Sequence, residues 1–278
     1  MKLCSFGPQG QERAGLVDAD GRIRDISALV PRWTTDHLQP GALSALAALD
    51  VTALPEVAPG TRLGVPWTGI SKYICIGLNY SDHAAESGLA EPSEPIIFLK
   101  APSAICGPND DTIRPEGTTK LDWEVEFGVV IGQTARNVRE EAALDHVFGY
   151  CLLNDVSERG FQMQSSQWDK GKGCDSFGPV GPWLVSKDEI GDPQNVDLWL
   201  EVNGIRRQTG NTGTMIFTLR QIIAYVSRHM TLLPGDIIAT GTPPGVGMGM
   251  RPDPVYLAAG DVVELGGNGL GKQRQNVV

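Results

Sequence analysis

Apolar and polar positions alternate from Ala14 to Ile26 on either side of Asp20-Gly21, a pair that tolerates positive φ, and this pattern predicts a β-hairpin. Leu43, Leu46, Ala47 and Leu49 fall at helical spacing after Pro40-Gly41, predicting a short amphipathic helix ahead of the loop from Pro55 to Pro66. Residues 1–70 therefore read as a small N-terminal α/β module and 71–278 as the main domain. In the main domain, strand-like runs are separated by Gly and Pro: Tyr73–Ile76, Ile96–Leu99, Trp123–Ile131, Tyr150–Leu153, Leu198–Val202, Ile237–Ala239 and Val262–Leu265. One helix is predicted around Asp82–Glu86. A longer one follows from Ile216, Leu219, Ile222, Ile223 and Val226, which recur at intervals of three and four. The fold class expected is α+β, mainly β, with a mixed β core.

Composition narrows the function classes. The chain has 278 residues, 41% hydrophobic and 20% charged, enough for a substantial core. Its 34 glycines and 19 prolines agree with a turn-rich β protein. A net charge of -10 without a basic run argues against a nucleic-acid partner, since phosphate binding rests on clustered Lys and Arg. No apolar run approaches the roughly 20 residues that span a bilayer, and the start of the chain lacks the pattern of a signal peptide, so no membrane association and a cytoplasmic location are expected. Five widely spaced cysteines without a Cys-x-x-Cys pair suggest buried thiols rather than disulfides or a zinc cluster.

Candidate chemistry centres on Leu121-Asp122-Trp123-Glu124-Val125-Glu126-Phe127. Strand alternation sends Trp123, Val125 and Phe127 to one face and both glutamates to the other, their Cα atoms roughly 6.5–7 Å apart. Two like charges that close repel each other unless a cation joins them. Asp155, just past the apolar run Tyr150–Leu153, can supply a third oxygen. An all-carboxylate set favours Mg²⁺, or Mn²⁺, over Zn²⁺. His83 and Glu86, three apart on the predicted helix, share a face and form a candidate general-base dyad. Lys172, or Lys170 beside it, lies in a glycine-rich turn that can aim an ammonium at a substrate oxygen. The loop Gly241-Thr242-Pro243-Pro244-Gly245-Val246-Gly247 offers backbone N–H groups and the Thr242 hydroxyl to a carboxylate. It lacks the Gly-Lys-Ser/Thr ending of a Walker loop.

Taken in order, Gly77-x-Asn79-Tyr80-x-Asp82-His83, Glu124-x-Glu126, Asn154-Asp155-Val156-Ser157, Gly171-Lys172-Gly173 and Gly241-Thr242-Pro243-x-Gly245-Val246-Gly247 resemble the fumarylacetoacetate hydrolase family over about Tyr73–Leu270. The resemblance implies a mixed β-sandwich or roll core, a homodimer, and Mg²⁺ on Glu124, Glu126 and Asp155. It also implies a water-activating dyad of His83 and Glu86 on a lid helix, a catalytic Lys172, and substrate contacts from Arg159, Gln162, Lys172, Gly241 and Thr242. The stretches Asn154–Arg159 and Trp168–Asp175 look closest to bacterial hydrolases of 2,4-dioxo-3-deoxy-L-rhamnonate or L-fuconate, which implies C3–C4 cleavage of a 2,4-dioxo acid to pyruvate and lactate. Two positions depart from the family pattern: Leu78, where many relatives resemble Gly-Arg-Asn, and Gly160, where an acidic residue is usual. Ureidoglycolate lyase and oxaloacetate decarboxylase are the alternative activities of this resemblance, and a non-catalytic acid-binding module is a third reading.

Overall fold

A computed structural model describes residues 1–46, 48–82 and 90–278. The N-terminal segment supplies β1 (Lys2–Phe6), β2 (Arg13–Val17), β3 (Ile23–Asp25) and β4 (Leu63–Gly64). Next come β5 (Tyr73–Gly77), β6 (Ile96–Lys100), β7 (Ile105–Cys106) and β8 (Leu121–Asp122). The middle of the chain forms β9 (Val125–Ile131), β10 (Val147–Asn154), β11 (Ser157–Glu158), β12 (Gly178–Pro179) and β13 (Leu184–Ser186). The last are β14 (Asp197–Val202), β15 (Ile205–Asn211), β16 (Ile237–Ala239), β17 (Val262–Gly267) and β18 (Gly271–Asn276).

A ten-stranded sheet runs β3-β2-β1-β13-β10-β9-β16-β5-β6, with β4 also paired to β1, and a four-stranded sheet runs β15-β14-β17-β18. Among the described residues of the large sheet only β16 and β5 pair parallel, so the sheet is mixed, as expected. The hairpin read around Asp20-Gly21 forms, pairing Val17 with Ile23.

Period-two alternation distributes the central strands between two cores. Ile74, Phe127, Val129, Leu152 and Ile238 point toward the four-stranded sheet and pack with Leu200, Val263 and Leu265. Their neighbours Tyr73, Val130, Cys151, Leu153 and Ile237 point the other way and pack with Leu3, Leu16, Trp33 and Trp67 of the N-terminal segment. Both faces of the large sheet are thus covered, and each fully buried aliphatic or aromatic side chain contributes roughly 1.5–3 kcal/mol.

Among the described residues the helices are short except one. α1 (Arg159–Gln162) and α2 (Asp169–Lys172) are single turns, and α3 (Leu219–His229) matches the long predicted helix. Ile216 falls outside it because Thr218 caps the helix, its side chain accepting from the Gln221 amide. The helix expected from Leu43 to Leu49 is corrected: a 3₁₀ turn at Ser44–Leu46 stands there, and position 47 lies outside the described residues. So short a segment nucleates poorly without a wide face to bury. Most of the helix predicted around Asp82–Glu86 also lies outside them. The cysteines are free thiols, with Cys4, Cys75 and Cys151 buried and Cys106 and Cys174 half-buried. Among the described residues no helix is long and apolar enough to cross a membrane.

Candidate metal centre

Strands β9 and β10 are antiparallel with Leu153 opposite Glu126 and Asn154 opposite Val125. Pairing extends one step further, because the Asp155 amide donates to the Glu124 carbonyl at 2.9 Å. Glu124 therefore faces Asp155 across the ladder, and Glu126 lies two residues on, on the same face. All three are buried, and each offers a carboxylate oxygen within 4.8 Å of the others. The strand expected from Trp123 starts later, at Val125. Side chains capture the two preceding amides: Asp122 Oδ1 accepts from Trp123 N at 2.8 Å and Asn154 Oδ1 from Glu124 N at 3.1 Å.

Cations meet these acids. Lys172 Nζ donates to Glu124 Oε2 at 2.9 Å and to Asp155 Oδ2 at 2.6 Å, bridging the two. Of the two lysines considered there, Lys170 is exposed and Lys172 is buried, and the segment is the one-turn helix α2 rather than an irregular turn. Arg159 donates from Nε to Asp122 Oδ2 at 2.8 Å, from one terminal nitrogen to Glu124 Oε1 at 2.5 Å, and from the other to Gln162 Oε1 at 3.0 Å. Lys100, unremarked in the sequence, is buried too. Its Nζ lies 2.6 Å from Asp155 Oδ1 and directs hydrogen bonds to the carbonyls of Val156 at 2.9 Å and Lys172 at 2.7 Å.

The electrostatics divide the pair of glutamates. Burial raises the Glu124 carboxyl, but the cations of Lys172 and Arg159 outweigh it and hold the group at about 2. Among the described residues no cation pairs with Glu126. Burial, and then the charges of Asp155 and Glu124, raise it well above the carboxylate range, against a hydrogen bond from the Gly241 amide at 2.9 Å. Lys172 is raised despite burial by Asp155 and Glu124, and Arg159 likewise by Glu124 and Asp122.

With every group ionised, the buried carboxylates Asp122, Glu124, Glu126 and Asp155 exceed Lys100, Lys172 and Arg159 by one negative charge. Asp155 Oδ1, although close to Lys100, receives no aligned hydrogen bond and keeps a lone pair free. An all-oxygen set, a surplus negative charge and an orphaned oxygen fit a hard divalent ion, which the triad can hold.

Glu124, Glu126, Arg159, Gln162, Lys172, Gly241 and Thr242 all line one cavity of about 300 Å³, so the structure brings these sequence candidates together. Leu78, Phe98, Met163, Trp168 and Met248 form its apolar walls. Leu78, the first departure from the family pattern, sits there in the left-handed region at φ 51°. At the second departure, a Cβ on Gly160 would lie 3.0 Å from Glu158 Oε2, which caps α1, so an acidic side chain would crowd another acid.

The Gly241–Gly247 loop is not a set of free donors as expected. The Gly241 amide is spent on Glu126, and the Thr242 hydroxyl donates to the Val125 carbonyl at 2.9 Å while accepting from Gln208 at 2.8 Å. Gly241, at φ 99°, admits no side chain here, because a Cβ would come within 2.8 Å of Asn79. The Gly241 amide and the Thr242 hydroxyl therefore hold the cavity wall in place. His83 and Glu86 lie outside the described residues.

Two buried groups here escaped sequence reasoning. Lys100 closes an apolar strand, and Asp122 precedes the glutamate pair by two residues. That same period of two, applied one step upstream, could have drawn attention to Asp122.

The sequence pattern of the family described as "Fumarylacetoacetate (FAA) hydrolase C-terminal" matches residues 72–278. A protein of Burkholderia ambifaria (strain MC40-6), named as a hydrolase without a substrate, is 58% identical over 277 residues, 99% of this chain and 98% of that relative. Among solved structures, a fumarylacetoacetate hydrolase from psychrophilic Exiguobacterium antarcticum is similar at 38% identity and a TM-score of 0.88, covering 100% of this chain and 99% of that one. A maleylpyruvate hydrolase from Sphingobium sp. SYK-6 is similar at 31% identity and 0.83, and a 5-carboxymethyl-2-hydroxymuconate delta-isomerase from Mycobacterium smegmatis at 31% and 0.78; each covers 100% of this chain and 99% of its own.

Proposed function

Because the chain belongs to the fumarylacetoacetate hydrolase family, whose similar members above are hydrolases and an isomerase, we propose that it hydrolyses the C3–C4 bond of a short 2,4-dioxo acid. The substrate proposed is 2,4-dioxo-3-deoxy-L-rhamnonate or L-fuconate, giving pyruvate and L-lactate. The observation that carries the reading is the buried triad of Glu124, Glu126 and Asp155, two of whose acids, Glu124 and Glu126, line a cavity that also presents Lys172 and Arg159.

Mg²⁺, or Mn²⁺, held by Glu124, Glu126 and Asp155, would supply Lewis-acid stabilisation of the charge that develops as the carbon–carbon bond breaks. Lys172 adds a fixed positive charge in the same cavity, already desolvated, where it acts strongly on a forming enolate. Arg159 and Gln162 hold the polar side of the cavity, and Thr242 lines its neighbouring wall. The apolar walls suit the methyl-bearing acyl end of the substrate and keep bulk water from the leaving carbon.

His83, oriented by Glu86, takes a proton from water as its oxygen bonds to C4. The C3–C4 electron pair departs as the enolate of pyruvate, and a proton returned to C3 completes the products. The acyl half leaves as lactate, so one water is consumed for each pyruvate and lactate formed.

Purified protein with Mg²⁺ is to be offered a panel of 2,4-dioxo acids, oxaloacetate, ureidoglycolate and a 2-hydroxydienoate, and every product measured. Pyruvate and lactate in equal amounts are expected. Carbon dioxide or urea in their place would overturn the reaction type, and consumption of a 2-hydroxydienoate without bond cleavage would favour an isomerase. His83→Ala is expected to lower turnover by about 10²- to 10⁴-fold with Mg²⁺ binding kept.

A further inference from the structure

We infer that Asp122 is a positioning residue that fixes two walls of the cavity against each other, the Arg159 guanidinium and the rim loop 247–251. Asp122 is fully buried, and its carboxylate is saturated from both sides. On one side stand the backbone amides of the rim: Gly247 donates to Oδ1 at 2.6 Å and Met248 to Oδ2 at 3.0 Å. These open a 3₁₀ turn, Gly247–Gly249, whose N-cap residue Val246 provides no side-chain cap. Asp122 reaches in from a different part of the chain to supply it. On the other side, Oδ2 also accepts from Arg159 Nε at 2.8 Å.

The loop is shaped for this contact. A Cβ at Gly247 would lie 2.7 Å from Asp122 Oδ1 and collide with the Val255 carbonyl, so only glycine lets the backbone close on the acid. Beyond Gly247 the same loop presents Met248, Gly249 and Arg251 to the cavity. Beyond Arg159 stand Glu124 and Gln162. The backbone sets the acid's position as well, because Asp122 pairs with Ser157 two residues before Arg159. Neither Arg159 nor Asp122 can shift without disturbing the partner of the other.

A carboxylate is required. A carboxamide would turn an N–H₂ toward either the rim amides or the guanidinium, all of them donors, and would strip Arg159 of one counter-charge. Arg159 would then lean harder on Glu124 and compete with an ion for it. The metal half of this inference rests on the proposed Mg²⁺ site; the loop half does not.

Two measurements test it. In metal-free protein, hydrogen exchange is followed by mass spectrometry in the peptide that contains the Gly247 and Met248 amides. Arg159→Lys keeps the charge and alters no residue of the loop, yet it is expected to speed exchange there more than in peptides that lie away from the cavity. Calorimetric titration with Mg²⁺ is expected to show Asp122→Asn binding about 10-fold or more weakly than wild type, although Asp122 is not itself one of the ligands. Unaltered loop exchange in Arg159→Lys overturns the coupling. Equal Mg²⁺ affinity in Asp122→Asn overturns its reach to the site. Should Asp122→Asn fail to fold, the Arg159→Lys exchange decides alone. A wild-type protein that binds no Mg²⁺ would instead sink the proposed function, leaving the exchange result to stand or fall separately.

Discussion

Glu126 governs how the site answers to pH. Its raised carboxyl prefers a proton in the folded, metal-free protein, so it adds stability that is complete below the ordinary 4.5 and is lost as pH climbs through the raised value. Glu124 acts in the opposite window: held at about 2, it adds stability above the ordinary 4.5 that disappears as pH falls toward 2. Ion binding needs Glu126 ionised. Mg²⁺ uptake in mildly acidic buffer is therefore expected to release a proton and to tighten as pH rises, which calorimetry in buffers of different ionisation enthalpy measures. Uptake without proton release would count against Glu126 as a ligand. Lys100→Met leaves Asp155 with Lys172 as its ammonium partner but strips Oδ1 and the carbonyls of Val156 and Lys172 of theirs, and is expected to cost about 1–3 kcal/mol in urea unfolding. The three acids were legible because strand alternation and a strand end define where they point. Lys100 was not: a lysine closing an apolar strand reads alike whether it turns inward or out, and the carbonyls that receive it come from residues 156 and 172.

Elements with several repeats of their period were readable, and single turns were not. The apolar strand runs predicted from Tyr73 onward and helix α3 announced themselves through periods of two and of about 3.6, with their ends shifted by a few residues where side chains take over backbone partners, whereas the largely polar β15 and β18 offered no apolar alternation to read. Thr218 shows the scale of such an end effect. It accepts from the Gln221 amide while Gln221 Oε1 accepts from the Thr218 amide at 2.9 Å, a reciprocal cap. Thr218→Ala is expected to lower stability by about 1 kcal/mol in thermal or urea unfolding, with turnover unchanged, since α3 supplies no cavity residue. α1 and α2, by contrast, span four residues each and owe their form to tertiary partners such as Glu158, which caps α1. No periodicity can reveal one turn.

At the scale of the molecule, the proposed ion is a fastener as well as a reagent. Glu124 precedes β9, Glu126 lies within it, Asp155 follows β10, and Glu126 is held by the loop after β16, so an ion on the triad ties the centre of the large sheet together. Binding only to the folded state, Mg²⁺ at 100 times its dissociation constant adds about 2.7 kcal/mol. A rise in Tm of about 5 °C over protein in EDTA is expected by calorimetry. An unchanged Tm would argue that nothing divalent binds the triad. Sheet order was the least legible property, because long-range pairing leaves no local trace. The pairing of β1 with β13 has a further consequence for how the chain is made. Met1 hydrogen-bonds Ser186 across a separation of 185 positions, so the first strand leaves the ribosome long before its neighbour exists. At about 5–20 residues per second, the edge of β1 that meets β13, unlike the edge that β2 pairs early, stays open for roughly 10–40 s of synthesis, a window in which chaperones have access to it.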